Sequence, residues 1–221
     1  MMRKFIFRDQ TTHEKLSVTV PEVLDGSYGM HVWPCAPVLA QYIWYNRNDL
    51  KGKYVLEIGA GTALPGVMAG LCGANIILSD SASLPKCLEN CQQTCKANGL
   101  ENIPILGITW GCFDPHLLRL GKVDIILGSD CFYDTKDFED VIMTVSFILE
   151  RNKDAEFWST YQERSSERSI EHLLFKWGLD CRQIPLSRFD ADIPNLAESD
   201  LPGNHTIHML IISKRRDKII R

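Results

Sequence analysis

Short apolar runs alternate with segments of helical spacing along most of this chain, and that alternation constrains the fold more than any other feature. YVLEIG (54–59), NIILSD (75–80), IPILGITW (103–110), VDIILGSD (123–130), AEFWSTY (155–161), LDCRQIPL (179–186) and HTIHMLIIS (205–213) read as strands. CAPVLAQYIWYN, ALPGVMAGLCG, SLPKCLENCQQTCKANG, DFEDVIMTVSFILE and SSERSIEHLLFKWG read as helices between them. Such alternation predicts an α/β fold, a Rossmann-like seven-stranded, mostly parallel sheet with helices on both faces. The last two strands have no good helix between them, so one is expected to run antiparallel at or near the edge. KFIFR and KLSVTV, with TTHE between them, predict a short N-terminal β-hairpin. Residues 187–204 are polar and irregular, and are expected to form a loop over a site.

With 221 residues and 45% apolar content the chain can bury one sizeable core, so one domain is expected over residues 1–221. No run of about 18 uncharged apolar residues offers a membrane span. The start, MMRKFIFRDQTTHEK, turns polar too soon for a secretory signal. Eight cysteines without a CxxC pair suggest reduced thiols inside a cell, and a cytoplasmic and nuclear location is expected. The net charge of −4 is uneven: residues 214–221, KRRDKIIR, carry five bases and one acid, which leaves −8 on the rest. That basic tail fits nuclear import and plain solvated charge alike. Five acids between 130 and 140, against Lys136 alone, would attract a basic partner and repel a phosphate backbone. Part of that patch also suits a helix N-terminus.

The strand YVLEIG feeds directly into Gly59 and Gly61, with Gly66 following ALP, and Asp80 ends the next strand. Glycines here permit a tight turn and close approach of a ligand to a helix N-terminus, while the acid can accept hydrogen bonds from a ribose diol. A dinucleotide fingerprint would place its third glycine where Leu64 stands, so NAD is disfavoured. Glu57, two residues before the loop, suits a cationic ligand without phosphate, and S-adenosylmethionine is one. Trp110 ends the third strand, where an adenine would stack; Trp33, in GMHVWPCA, fits an adenine wall and a core plug equally. Residues 1–34 are therefore divided into the hairpin and a segment expected to lie over the cofactor, with the Rossmann-like core at 35–213 and the basic tail at 214–221.

The run GSDCFYD ends the fourth strand with Asp130 and Tyr133, in a place where a carboxylate is costly unless something uses it. Taken in order, VWPCAPVLA, VLEIGAGTALPG, LSD, ITW and DIILGSDCFYD closely resemble the seven-β-strand methyltransferases of family 16, protein methyltransferases marked by an acid-x-x-Tyr/Phe motif. The resemblance runs over essentially the whole chain. It implies that Trp33, the loop from Glu57 through Gly59, Ala60 and Gly61, Asp80, Trp110 and Ser129 line a pocket for S-adenosylmethionine. It also implies that Asp130 and Tyr133 lie beside the sulfonium. Ala63 departs from the family's Gly-Thr-Gly run and is expected to narrow the loop slightly.

The resemblance then implies methyl transfer to a side-chain nitrogen of a basic protein, arginine or lysine, with a histone-like tail a plausible substrate. A carboxylate at Asp130 and the Tyr133 oxygen suit a nitrogen that must be positioned and desolvated. The two prolines that stiffen this point in nucleobase methyltransferases are absent from SDCFY, so no direct nucleic-acid contact is expected. Rival readings are a cofactor-binding but non-catalytic module that docks a partner such as a chaperone, a metal-assisted small-molecule methyltransferase, and an NAD enzyme. Taken alone, Asp130 also reads as a cap of the following turn; Asp134 reads as a guanidinium grip or as a cap. Cys87, Cys91 and Cys95 recur every four residues and read as a packed helix face, not a metal site. Cys131 reads as core, or as a modulator of the motif. His205 and His208 face opposite sides of a strand and form no common site.

Overall fold

The computed structural model describes residues 1–23, 28–164, 169–201 and 206–216. Strands β1 (Met2–Arg8) and β2 (Lys15–Pro21) form an antiparallel hairpin in which Phe5 faces Val18. Its alternation is one-sided: Phe5, Phe7, Val18 and Val20 are fully buried while their neighbours face outward. The turn is tied by Asp9, whose carboxylate accepts the Thr11 and Thr12 N–H groups and binds Arg47.

Helix α1 (Cys35–Tyr45) precedes β3 (Tyr54–Glu57), α2 (Leu64–Leu71), β4 (Asn75–Asp80) and α3 (Pro85–Ala97). Then come β5 (Ile105–Gly107), α4 (Pro115–Leu118), β6 (Ile125–Ser129), α5 (Phe138–Arg151), β7 (Glu156–Gln162), α6 (Glu171–Lys176), β8 (Leu179–Ile184) and β9 (Ile207–Lys214). Among the described residues seven strands form one sheet in the order β5-β4-β3-β6-β7-β9-β8, and β9 runs opposite to the other six. The expected antiparallel strand thus sits one place in from the edge. Period-two alternation sends Val55, Leu78, Leu127 and Ile211 to one face, under α1, α2 and part of α3. Leu56, Ile126, Phe157 and Ile212 face the other, under α4, α5 and α6.

Several expectations change. The third expected strand is only Ile105–Gly107, and a turn follows in which the Cys112 N–H donates to the Thr109 carbonyl at 3.1 Å. Helix α4 is missed by pattern; Asp114 caps it by accepting the His116 and Leu117 N–H groups. Residues 187–201 do not cover a site. Phe189, Ala191, Leu196 and Ala197 are buried against the face that carries α1, Gln41 donates to the Phe189 carbonyl, and Glu198 and Asp200 bind Arg8 and Arg3 of the hairpin. A few apolar residues among many polar ones were enough to anchor it. Lys214, Arg215 and Arg216 pair with Glu150, Asp180 and Asp154, and the rest of the basic tail lies outside the described residues, as do His205 and residues 165–168 of the expected fifth helix.

Candidate active site

The strand order reverses between β3 and β6, and open α/β sheets bind ligands at the carboxyl ends of strands around such a point. A cavity of about 280 Å3 lies there. Its floor is the loop from Gly59 to Thr62. Gly59 and Gly61 both take left-handed backbone (φ 57° and 51°), which turns the chain sharply from β3 towards α2. The Trp110 indole lies directly against Gly59, where any Cβ would come within 2.5 Å of its Cζ2. Gly29, in the segment before α1, packs against Gly61 and Cys87, so this segment and Trp33 form another wall.

Asp80 is 8% exposed and accepts the Gly61 N–H through Oδ2 and the Ser81 N–H through Oδ1, both at 2.8 Å. One carboxylate thus fixes the glycine loop and keeps lone pairs towards the cavity. Burial raises its pKa, while the two N–H donors work in the opposite direction. A second cavity, also about 280 Å3, adjoins this one and shares Asp80, Leu84, Trp110 and Tyr133; Asp137 and Asp140 supply its acidic rim.

Ser129, Asp130, Cys131 and Tyr133 bring the end of β6 into the same cavity. Asp130 holds left-handed backbone (φ 56°), unusual for a residue with a side chain, and its N–H donates to the Thr160 carbonyl at 2.8 Å. It caps no turn. Its carboxylate is gripped by Arg164, with Nη1 to Oδ1 at 2.9 Å and Nη2 to Oδ2 at 2.6 Å. Arg164, two residues beyond β7, escaped the sequence reading. The signal was an arginine just past the strand that pairs with β6, in the register Ser129–Thr160. Tyr133 lies 38% exposed on the cavity; burial first, then acidic neighbours led by Asp137, raise its phenol pKa and keep it neutral. Cys35 and Cys131 stand near Asp130, and burial first, with that carboxylate second, pushes both thiols well above their ordinary value. Neither is a ready nucleophile. Asp134 accepts the Lys136 N–H and caps the approach to α5.

Glu57, expected in the site, and Ala63, expected to narrow its loop slightly, both stand behind the cavity. Glu57 is 1% exposed and lies behind the cavity, where its Oε2 accepts the Gly66 N–H at 3.0 Å. Strand alternation puts it on the face of Val55, beneath α2. Burial raises its pKa well above its ordinary value and so favours the neutral acid, whose carboxyl oxygen secures the helix. Ala63 takes left-handed backbone (φ 58°), but it is fully buried in the core and does not narrow the cavity. Cys87, Cys91 and Cys95 are buried, Cys91 donating weakly to the Gly61 carbonyl, and no metal-ligating group of three exists among the described residues.

Solved structures similar to this fold include a putative RNA methyltransferase from Pyrococcus horikoshii (TM-score 0.59, 16% identity, 90% of this chain and 92% of that one). Magnesium protoporphyrin IX methyltransferase from Synechocystis, solved with bound S-adenosylmethionine, gives 0.53 at 15% identity over 83% and 80%. The architecture is therefore a Rossmann-like methyltransferase fold. Histone-arginine methyltransferase METTL23 of Xenopus laevis is 55% identical over 213 residues, covering 96% of this chain and 91% of its own length. The Homo sapiens protein of that name is 52% identical over 190 residues, 86% and 100%. Protein N-lysine methyltransferase METTL21A of Danio rerio is 30% identical over 161 residues, 64% and 70%. A family model described as lysine methyltransferase matches residues 12–175, and the chain belongs to this family of S-adenosylmethionine-dependent protein methyltransferases.

The cavity suits that cofactor. Among its described lining residues the charged groups are Asp80, Asp130 and Arg164, a net of −1 with histidine neutral, which favours a sulfonium over a pyrophosphate.

Proposed function

We propose that this protein transfers a methyl group to a guanidinium nitrogen of arginine in a basic protein, plausibly a histone. The observation that carries this reading is one continuous cavity lined by the glycine loop, Asp80 and Trp110 on one side and by Asp130 and Tyr133 on the other. Arginine is preferred to lysine because the relatives named for arginine are 52–55% identical, whereas METTL21A, named for lysine, is 30% identical.

When bound, S-adenosylmethionine supplies an electrophilic methyl group on a cationic sulfur. In this reading Asp80 takes the ribose hydroxyls, and Trp33 and Trp110 wall the nucleoside. Asp130 accepts N–H hydrogen bonds from the acceptor, holds the guanidinium plane and stabilises its charge; the proton released on methylation passes to solvent at this carboxylate. Tyr133, a neutral phenol, directs its oxygen at the acceptor. The acidic rim of Asp137 and Asp140 attracts the basic chain around it. A histone acceptor would bring the protein to the nucleus for at least part of its working life.

The test is incubation of the protein and Asp130→Asn with methyl-labelled cofactor and core histones, followed by hydrolysis of the product. Methyl-arginine from the wild type and at least about a 100-fold loss in the variant are expected, from the loss of a charge-assisted fork. Methyl-lysine as the product would replace the acceptor. Cofactor binding with no label transferred to any basic protein would leave a partner-docking module, such as one for a chaperone.

A further inference from the structure

The Asp130–Arg164 pair occupies the very position from which Asp130 is asked to hold an acceptor. Both carboxylate oxygens are taken, one by each terminal nitrogen of the guanidinium, in a fork that a planar cation alone can fill. While Arg164 is seated, a substrate guanidinium cannot form the same two-pronged fork, because one planar cation already spans both oxygens and leaves only their outward lone pairs.

Among the described residues, two groups hold the Arg164 guanidinium. Its described contacts are Asp130 and a longer bond to the Gln162 carbonyl at 3.4 Å. Its side chain is 29% exposed, while Asp130 is 7% exposed. It lies beyond the end of β7, outside regular structure. Rotation of one long side chain into solvent therefore uncovers the carboxylate without moving the sheet. Asp130 itself is fixed by its left-handed backbone and the Thr160 carbonyl, so the seat stays where it is when the occupant leaves.

We propose that Arg164 is an internal stand-in for the acceptor: its guanidinium fills the seat on Asp130, and an incoming guanidinium must exchange with it. This rests on the reading of Asp130 as the acceptor-holding group. Three consequences follow. Asp130 is never left buried and unpaired between turnovers, which would be costly at 7% exposure. The apparent affinity for acceptor is reduced by the fraction of molecules in which Arg164 is seated. An ammonium makes a point contact and replaces only part of the fork, so the exchange favours arginine side chains over lysine.

The rival role for Arg164 is permanent: it would orient Asp130 and stay in place through turnover. Two readouts separate the two. The first needs no catalysis: thermal unfolding of the full chain with methylguanidinium or methylammonium chloride at equal millimolar concentrations. Methylguanidinium is expected to stabilise Arg164→Ala by several degrees more than the wild type, with methylammonium weaker, and the effect should vanish in Arg164→Ala/Asp130→Asn. Equal response of the single variant and the wild type overturns the proposal. If Arg164→Ala is poorly folded, Arg164→Gln, which keeps bulk and loses the fork, serves in its place. The second readout is the split between KM and kcat on an arginine-bearing basic peptide. KM is expected to fall about tenfold in Arg164→Ala, the amount set by relieving a pair seated about nine times in ten. A fall in kcat with KM unchanged means that Arg164 works as a fixed positioning residue, and overturns the exchange. Methylguanidinium binding without any arginine methylation would sink the proposed function and leave the seat intact.

Discussion

Replacing Gly59 by alanine tests whether the glycine loop and Trp110 form one binding surface. The backbone there has φ 57°, where a methyl group costs about 1–2 kcal/mol. The new Cβ would lie 2.5 Å from Trp110 Cζ2 and 3.3 Å from Cη2. Ordinary carbon contacts need about 3.5 Å, so the indole must retreat by about 1 Å, an overpacking cost of about 1–3 kcal/mol. Gly99 supplies the control: its φ is 71°, yet nothing lies within 4 Å of its added Cβ. Gly99→Ala should therefore lose only the backbone cost, about 1–2 kcal/mol by urea denaturation, with unchanged cofactor affinity. Gly59→Ala should lose about 2–5 kcal/mol in total and bind S-adenosylmethionine at least about tenfold more weakly by calorimetry, because the displaced ring enters the cavity. Equal stability losses in the two variants, with equal affinities, would refute the contact and the surface built on it.

Two further substitutions probe the buried carboxyls. Glu57 has a folded pKa raised well above its ordinary 4.5, so the folded state keeps a proton that the unfolded chain releases. Its contribution is complete below that ordinary value and is lost as pH rises through the folded one. Glutamine has no such proton, so the melting temperature of Glu57→Gln should gain on the wild type as pH rises above that ordinary value of 4.5; a pH-independent difference would contradict the raised pKa. Asp80→Asn replaces one of two accepting oxygens by an amide that opposes a backbone N–H. With about 1.5–3 kcal/mol at stake in a charged hydrogen bond, cofactor affinity should fall about 10- to 100-fold, and a change below twofold would remove Asp80 from the ribose site.

Period and punctuation made the layers readable: the two-residue alternation of Val55 and Leu56 already assigns them to opposite faces, and Gly73, the last residue of ALPGVMAGLCG, turns the chain at φ 88° just after α2. Strand order was not readable, since nothing local to HTIHMLIIS says that β9 inserts between β7 and β8. Glu57 was misplaced for an instructive reason. Its spacing from the loop pointed to the ligand, but the same alternation that buries Val55 turns its side chain beneath α2. Arg164 was missed because its partner lies 34 residues away and the pairing depends on the register of β6 on β7. The polar stretch 187–201 misled through composition, since four buried apolar residues outweigh the surrounding charge.

Three acids end or follow three neighbouring strands, Glu57 on β3, Asp80 on β4 and Asp130 after β6, and each is buried. Left ionised and unpaired together they would repel one another across a low-dielectric crevice. The fold answers each in a different way. Glu57 is pushed towards neutrality and spends one oxygen on Gly66; Asp80 is held by two backbone N–H groups; Asp130 is closed by a full guanidinium. The first two answers are permanent, since backbone donors cannot leave. The third is a side chain, and a side chain can be exchanged for another of the same shape. Of the three acids, Asp130 is therefore the one free to change partners during turnover, and the chemistry that a new partner must copy is the planar, two-pronged cation already seated there.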